Sequence, residues 1–152
     1  HGIPSIGEVT FRTSQQELAN SLPYSRHTLP ISLPQGEHTV EAILSDGDGT
    51  PIVTQPITIN EGQSTLMVLT RTPEAPRLIT IDEVISPVEG NMSRIIVFNG
   101  VDTDIPIVVQ SNGEALTSAL PFTATSSAFT IPSETIMMTV VEGTTNRVRV
   151  NE

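Results

Sequence analysis

The sequence predicts an all-β chain of two tandem, immunoglobulin-like antiparallel β-sandwich units, each incomplete within the chain, and three observations carry that expectation. Short runs rich in Val, Ile and Thr recur at a spacing of roughly 8–12 residues, the rhythm of sandwiches and barrels. Gly, Pro, Asn and Asp cluster between those runs, and helix signals are nearly absent. Residues 8–45 also repeat without a gap 98 positions later, placing Leu18 on Leu116, Leu22 on Leu120, Pro23 on Pro121, Tyr24 on Phe122 and Pro34 on Pro132.

Taken in order, the first copy is expected to place strands at 6–13, 28–33, 38–44, 52–59, 64–70 and 78–84. Residues 18–28 read as a long connection. The stretch from Ser86 to Met92, with Pro87 and Gly90, interrupts the pattern where one copy gives way to the next, so the units are placed at 1–88 and 92–152. Strands of the second copy are expected at 94–98, 105–110, 127–131, 135–141 and 147–150. Most of the 12 prolines fall between these runs, as they must if strand interiors are to keep their N–H donors. The first copy is expected to lack its opening strand and the second its closing strands.

The last strand admits two alignments. Val148 to Glu152 matches Ile57 to Glu61, which makes it a late strand of its own copy. Asn146 to Val150 matches Ser93 to Val97, the opening strand that the first copy lacks, and His1-Gly2-Ile3 then aligns with Asn99-Gly100-Val101 with the join one residue out of register. On that second alignment Arg147, Val148, Arg149 and Val150 are candidates for strand donation to another molecule by β-augmentation. The expected partners are copies of the same chain, in a homopolymer.

Charge narrows the partners further. The chain carries 17 acidic and 7 basic side chains for a net charge of −10, and all seven basic residues are Arg. An acidic surface without a basic stripe repels phosphate backbones, so nucleic acid is excluded as an expected partner. No apolar run approaches the roughly 18–20 residues of a spanning helix, and membrane insertion is not expected. Cations and neutral polysaccharides suit such a surface better. Without lysine, edge strands lack the residue that most often blocks edge pairing, and runs such as Arg94 to Phe98 and Ile136 to Val141 read as strands that expect a cover.

No constellation marks an enzyme. The chain has no cysteine, which removes disulfides and thiolate metal sites, and no Gly-x-Ser-x-Gly elbow singles out a nucleophile. His27 and His38 face Thr125 and Ile136 in the second copy, and no His-x-His or His-x-x-x-His pair supplies ordered ligands, so both read as surface or hairpin histidines. Asp46-Gly-Asp-Gly-Thr50 has the alternating carboxylates of the start of a calcium loop, which makes Asp46 and Asp48 the candidate calcium ligands. The closing Glu is missing, and Asp-Gly between strands is also an ordinary hairpin turn. Asp102 and Asp104 repeat the idea more weakly. Asp82 and Glu83 are neighbours on a strand and face opposite ways, which prevents them from acting as a dyad. Asn91-Met92-Ser93 fits a glycosylation sequon.

Several segments together resemble the domain-of-unknown-function family numbered 4397. They are Arg94 to Asn99, Asp102 to Pro106, the Leu-Pro-aromatic steps at Leu22-Pro23-Tyr24 and Leu120-Pro121-Phe122, and Leu33 to Glu41. Gly62 to Val68 and Leu78 to Glu83 resemble the closing hairpin and last strand of that family. The resemblance implies a β-sandwich exported by bacteria to the cell surface or periplasm, often in tandem, with structural rather than catalytic motifs. The expected function is a non-enzymatic, extracellular structural subunit that assembles head to tail by strand complementation. The alternative is an adhesion module binding glycan, peptide or calcium through loops at one end, against which stands the scarcity of aromatic platforms: no Trp, one Tyr and four Phe.

Overall fold

The computed structural model describes every residue except 4, 72–74, 102, 135, 144, 146, 147 and 152, with the side chains of 71 and 149–151 also outside the description. Among the described residues the chain is all-β, in antiparallel sheets and without a helix. It divides into two compact units, His1–Glu83 and Val84–Glu152.

The first unit contains β1 (Val9–Arg12), β2 (Glu17–Leu22), β3 (Gly36–Leu44), β4 (Pro51–Ile59), β5 (Ser64–Arg71) and β6 (Pro76–Glu83). Four of them form a sheet in the order β2-β1-β3-β4, and β5 and β6 form a separate hairpin. Alternation along β1 and β3 sends Val9, Phe11, Val40 and Ala42 to one face, where they join Ile57 of β4 and Leu69 and Leu78 of the hairpin in a single buried cluster. Each of the larger side chains contributes on the order of 1.5–3 kcal/mol on leaving water, so the cluster fixes which face of each strand turns inward. Pro51 and Pro56 lie on β4, an edge of its sheet, where a missing N–H costs nothing to the ladder on the outer side.

The second unit contains β7 (Met92–Ile95), β8 (Ile107–Ser111), β9 (Glu114–Ala115), β10 (Phe129–Pro132), β11 (Met138–Glu142) and β12 (Val148–Asn151). Its four-stranded sheet runs β9-β8-β11-β12, and β7 pairs with β10. The register repeats that of the first unit at the sequence offset. Val9 opposite Leu44 and Phe11 opposite Ala42 become Ile107 opposite Glu142 and Val109 opposite Val140. Arg12 opposite Glu17 becomes Gln110 opposite Ala115. Val9 opposite Leu22 survives as the isolated bridge from Ile107 to Leu120. The loop bonds repeat too: Ser45 N to Glu8 O, at 3.0 Å, matches Gly143 N to Pro106 O, at 2.7 Å.

Three differences from the sequence expectation have physical causes. Residues 28–33 form no strand, whereas the equivalent stretch of the second copy does, because β10 has β7 beside it. The supposed connection after Leu18 contains β2, and the segment after β8 contains β9. Both are short and poor in β-branched residues, and their strand character comes from pairing with β1 and β8. The stretch read as an inter-copy connection also carries specific bonds, since Arg94 Nη1 donates to Val84 O at 2.6 Å and to Ser86 O at 2.5 Å.

Candidate functional site

Residues 27–34 form the most unusual surface of the first unit. All are exposed except Leu33, which packs against the core, and Leu29 and Ile31 show 82% and 43% of their surface to solvent. No main-chain N–H of residues 27–33 donates a backbone hydrogen bond among the described residues. The segment is nevertheless held in place. Gln16 Nε2 donates to Ser32 O at 3.3 Å, and His38 Nε2 lies 2.8 Å from Pro34 O.

The turn that leads into this segment is built alike in both units. After Leu22-Pro23-Tyr24 and Leu120-Pro121-Phe122, Ser25 and Thr123 adopt left-handed φ angles of 60° and 64°. Arg26 N donates to Pro23 O at 3.2 Å, and Ala124 N donates to Pro121 O at 3.0 Å. The turn is anchored by His1 in one unit and Asn99 in the other. Ser25 N donates to His1 O at 3.0 Å, as Thr123 N does to Asn99 O at 2.8 Å. His1 Nδ1 accepts from Ile3 N at 3.3 Å, as Asn99 Oδ1 does from Val101 N at 3.0 Å. The His1 α-amine donates to Arg26 O at 2.9 Å, and its partial burial lowers its pKa. The His1 ring lies 6.2 Å from that of Tyr24. The alignment of His1 with Asn99 was visible in the sequence, but their anchoring of the turn was not. The left-handed residue two positions after each proline went unnoticed, although it is the place where such a turn requires positive φ.

Of the strand-donation candidates, Val148, Arg149 and Val150 lie in β12, and Arg147 lies outside the described residues. Within the chain β12 pairs with β11, placing Val148 opposite Val141 and Val150 opposite Val140. β12 thus stands beside β11 as β4 stands beside β3, but Val148 and Val150 take the places of Pro51 and Val53, not those of Ile57 and Ile59 as in the first alignment. β12 is an edge of its sheet, and Val148 leaves 54% of its surface exposed.

Asp46 and Asp48 sit in the exposed loop between β3 and β4. Asp48 Oδ1 accepts from Thr50 N at 2.9 Å, and this bond first of all holds its pKa below the ordinary aspartate value. Gly47 N donates to Leu44 O at 3.1 Å, and Gly49 takes φ +88°, so the Asp-Gly pairs shape a turn. Among the described residues no group of three or more His, Cys, Asp or Glu side chains is placed to hold a metal ion. Asp102 lies outside the described residues.

The histidines divide: His27 is exposed, while His38 is a buried residue of the β3–β4 hairpin, opposite Ile57, which leaves the hairpin reading and corrects the surface one. Its ring reaches back to the carbonyl of Pro34. A shallow depression of about 380 Å³ on the outer side of β1 and β3 is lined by Arg12, Thr13, Ser14, Thr39 and Glu41. It holds an ion pair, Arg12 Nε to Glu41 Oε2 at 2.8 Å, at a solvent-exposed position where such pairs contribute little.

No curated protein and no solved structure matches the chain. The model of the domain-of-unknown-function family DUF4397 matches residues 1–108, through the whole first unit and as far as the start of β8. With that match over more than half of its length, the chain belongs to the DUF4397 family.

Proposed function

We propose that this protein is a non-enzymatic structural subunit of a bacterial cell-surface or extracellular assembly, built from immunoglobulin-like antiparallel sandwich units that join head to tail by β-strand complementation. One observation carries the reading. The segment at 29–33 shows the apolar Leu29 and Ile31 to solvent, and β12, an edge of its sheet, leaves Val148 more than half exposed. A strand that pairs with the first segment would supply main-chain bonds and apolar cover together. The absence of lysine removes a common obstacle to such pairing, and the acidic surface keeps unassembled chains apart.

Negative-stain electron microscopy of the purified chain beside a version lacking residues 147–152 tests the proposal. Filaments or linear oligomers from the full chain, and single particles from the truncated one, are expected. Single particles from both would overturn it.

A further inference from the structure

Leading into β7, the segment Glu89-Gly90-Asn91-Met92-Ser93 carries a carboxylate, a carboxamide and a hydroxyl at alternate positions. We propose that Asn91 is the acceptor of one N-linked oligosaccharide, transferred from a pyrophosphate-linked glycolipid by a bacterial oligosaccharyltransferase that reads Glu89 and Ser93 together with it. The proposal goes beyond assembly. It rests only on the part of the reading above that takes the chain out of the cell, since such donors are used on the outer side of the membrane.

A peptide bound in extended form shows alternate side chains to one wall of its groove, and pockets on that wall give specificity. Residues 89, 91 and 93 stand at that spacing. A hydroxyl two residues after the asparagine is what an N-linked acceptor requires, and the residue between them is Met92, not proline. The carboxylate two residues before it offers a cationic groove one charge-assisted hydrogen bond. No other asparagine of the sequence has Ser or Thr two residues on.

The structure leaves these groups presented and unused. Residues 82–91 are exposed apart from Val88. Among the described residues the Asn91 carboxamide makes no hydrogen bond, and Glu89 has no ion-pair partner. Carboxamides with a structural task look different. Asn99 is buried, with Nδ2 donating to Leu120 O at 2.9 Å and Oδ1 accepting from Val101 N at 3.0 Å, and Asn60 Nδ2 donates to Gln63 Oε1 at 2.8 Å.

Main-chain bonds hold the acceptor without sealing it. Met92 N donates to Glu89 O at 3.3 Å, closing a turn in which Gly90 takes φ +57°. Glycine adopts that conformation and the extended one about equally well, so the turn opens at the expense of one long bond. Ser133 N donates to Asn91 O, and Ser93 Oγ lies 2.7 Å from Ser133 Oγ. Both contacts sit at the end of the β7–β10 ladder, where pairing opens locally at little cost.

The transfer is a substitution without redox change. Asn91 Nδ2 forms a bond to the anomeric carbon of the sugar, and the bond from that carbon to the phosphate oxygen breaks. The lipid pyrophosphate leaves with the electron pair, and Nδ2 gives up one proton to the transferase or to solvent. Ser93 is a positioning residue: its hydroxyl orients the carboxamide and stays unmodified.

The purified full chain is offered to a single-subunit bacterial oligosaccharyltransferase with its pyrophosphate-linked oligosaccharide lipid, beside an unrelated acceptor peptide that reports the activity of the enzyme. Intact mass and peptide mapping are expected to show one glycan, on Asn91, absent from Asn91→Gln and Ser93→Ala and kept in Ser93→Thr. Glu89→Gln is expected to slow transfer on the order of tenfold, the loss of one charge-assisted bond. A bare chain in a reaction that modifies the peptide would overturn the site, and an undiminished rate in Glu89→Gln would overturn the part given to the carboxylate. The chain isolated from its source cells is mapped alongside, after surface and cytoplasmic fractions are separated, and glycan on Asn91 of the surface fraction is expected. Surface chain left bare would overturn modification in the cell and leave the exported reading standing. Chain confined to the cytoplasm would overturn export and this use of Asn91 together.

Discussion

Thr123 and Ser25 show how a repeat preserves a conformation while changing the residue that adopts it. Both have positive φ, 64° and 60°, after the same Pro-aromatic pair. Left-handed backbone costs an L-residue on the order of 1–2 kcal/mol, and a β-branched residue suffers most because its branches crowd the carbonyl. The turn is held against that cost by bonds to the main-chain carbonyls of Asn99 and His1, which sit at equivalent positions and whose own side chains, an amide and an imidazole, each accept from the N–H two residues on. Thr123→Gly is therefore expected to stabilise the protein by about 0.5–1 kcal/mol, the relief of strain less the entropy glycine loses on folding. Ser25→Gly should give a smaller gain. Urea unfolding midpoints of the two variants check this, and a loss of stability in Thr123→Gly would show that its side chain makes a contact worth more than the strain.

Hairpins and edges show where sequence and structure part. The long, alternating strands were legible: β3, β4, β5 and β6 lie within a few residues of where the Val, Ile and Thr pattern puts them. β2 was not, because Glu17, Ala19 and Asn20 have poor strand preference and are recruited by pairing with β1. β9 carried a signal that went unused, the Asn112-Gly113 pair with φ of 52° and 82°, which joins β8 to β9 as a two-residue turn. Residues 28–33 illustrate the opposite error, since their pattern is strand-like and only a neighbour would make them a strand. For the candidate site, the Leu-Pro-aromatic steps were readable in both copies, but the left-handed φ at Ser25 and Thr123 that follows them showed only in the structure. At Asp46 to Thr50 the ordinary hairpin-turn reading agrees with the turn that Asp48 closes on Thr50 N. Gly113→Ala isolates the hairpin device: it should cost about 1–2 kcal/mol. Amide exchange should rise at β9 while the β8–β11 pairing stays protected, and uniform exchange across the sheet would show instead that β9 is needed to hold β8.

At the scale of the whole molecule, charge and edge pairing oppose each other. Every chain carries a net charge of −10, so two copies repel before any strand can dock. A strand-to-edge contact is built from main-chain bonds and apolar side chains, which salt does not weaken, whereas the repulsion is screened over about 30 Å at 0.01 M and about 8 Å at 0.15 M ionic strength. Salt therefore acts on the opposing term alone, and assembly is expected to be slow at 10 mM sodium chloride and faster at 300 mM, as followed by light scattering at fixed protein concentration. The dependence should vanish in the version lacking residues 147–152, which has no strand to donate. Assembly that weakens with added salt would mean that pairs between the seven arginines and the acidic surface hold the copies together, and the edge contact would then no longer be what drives the copies to join.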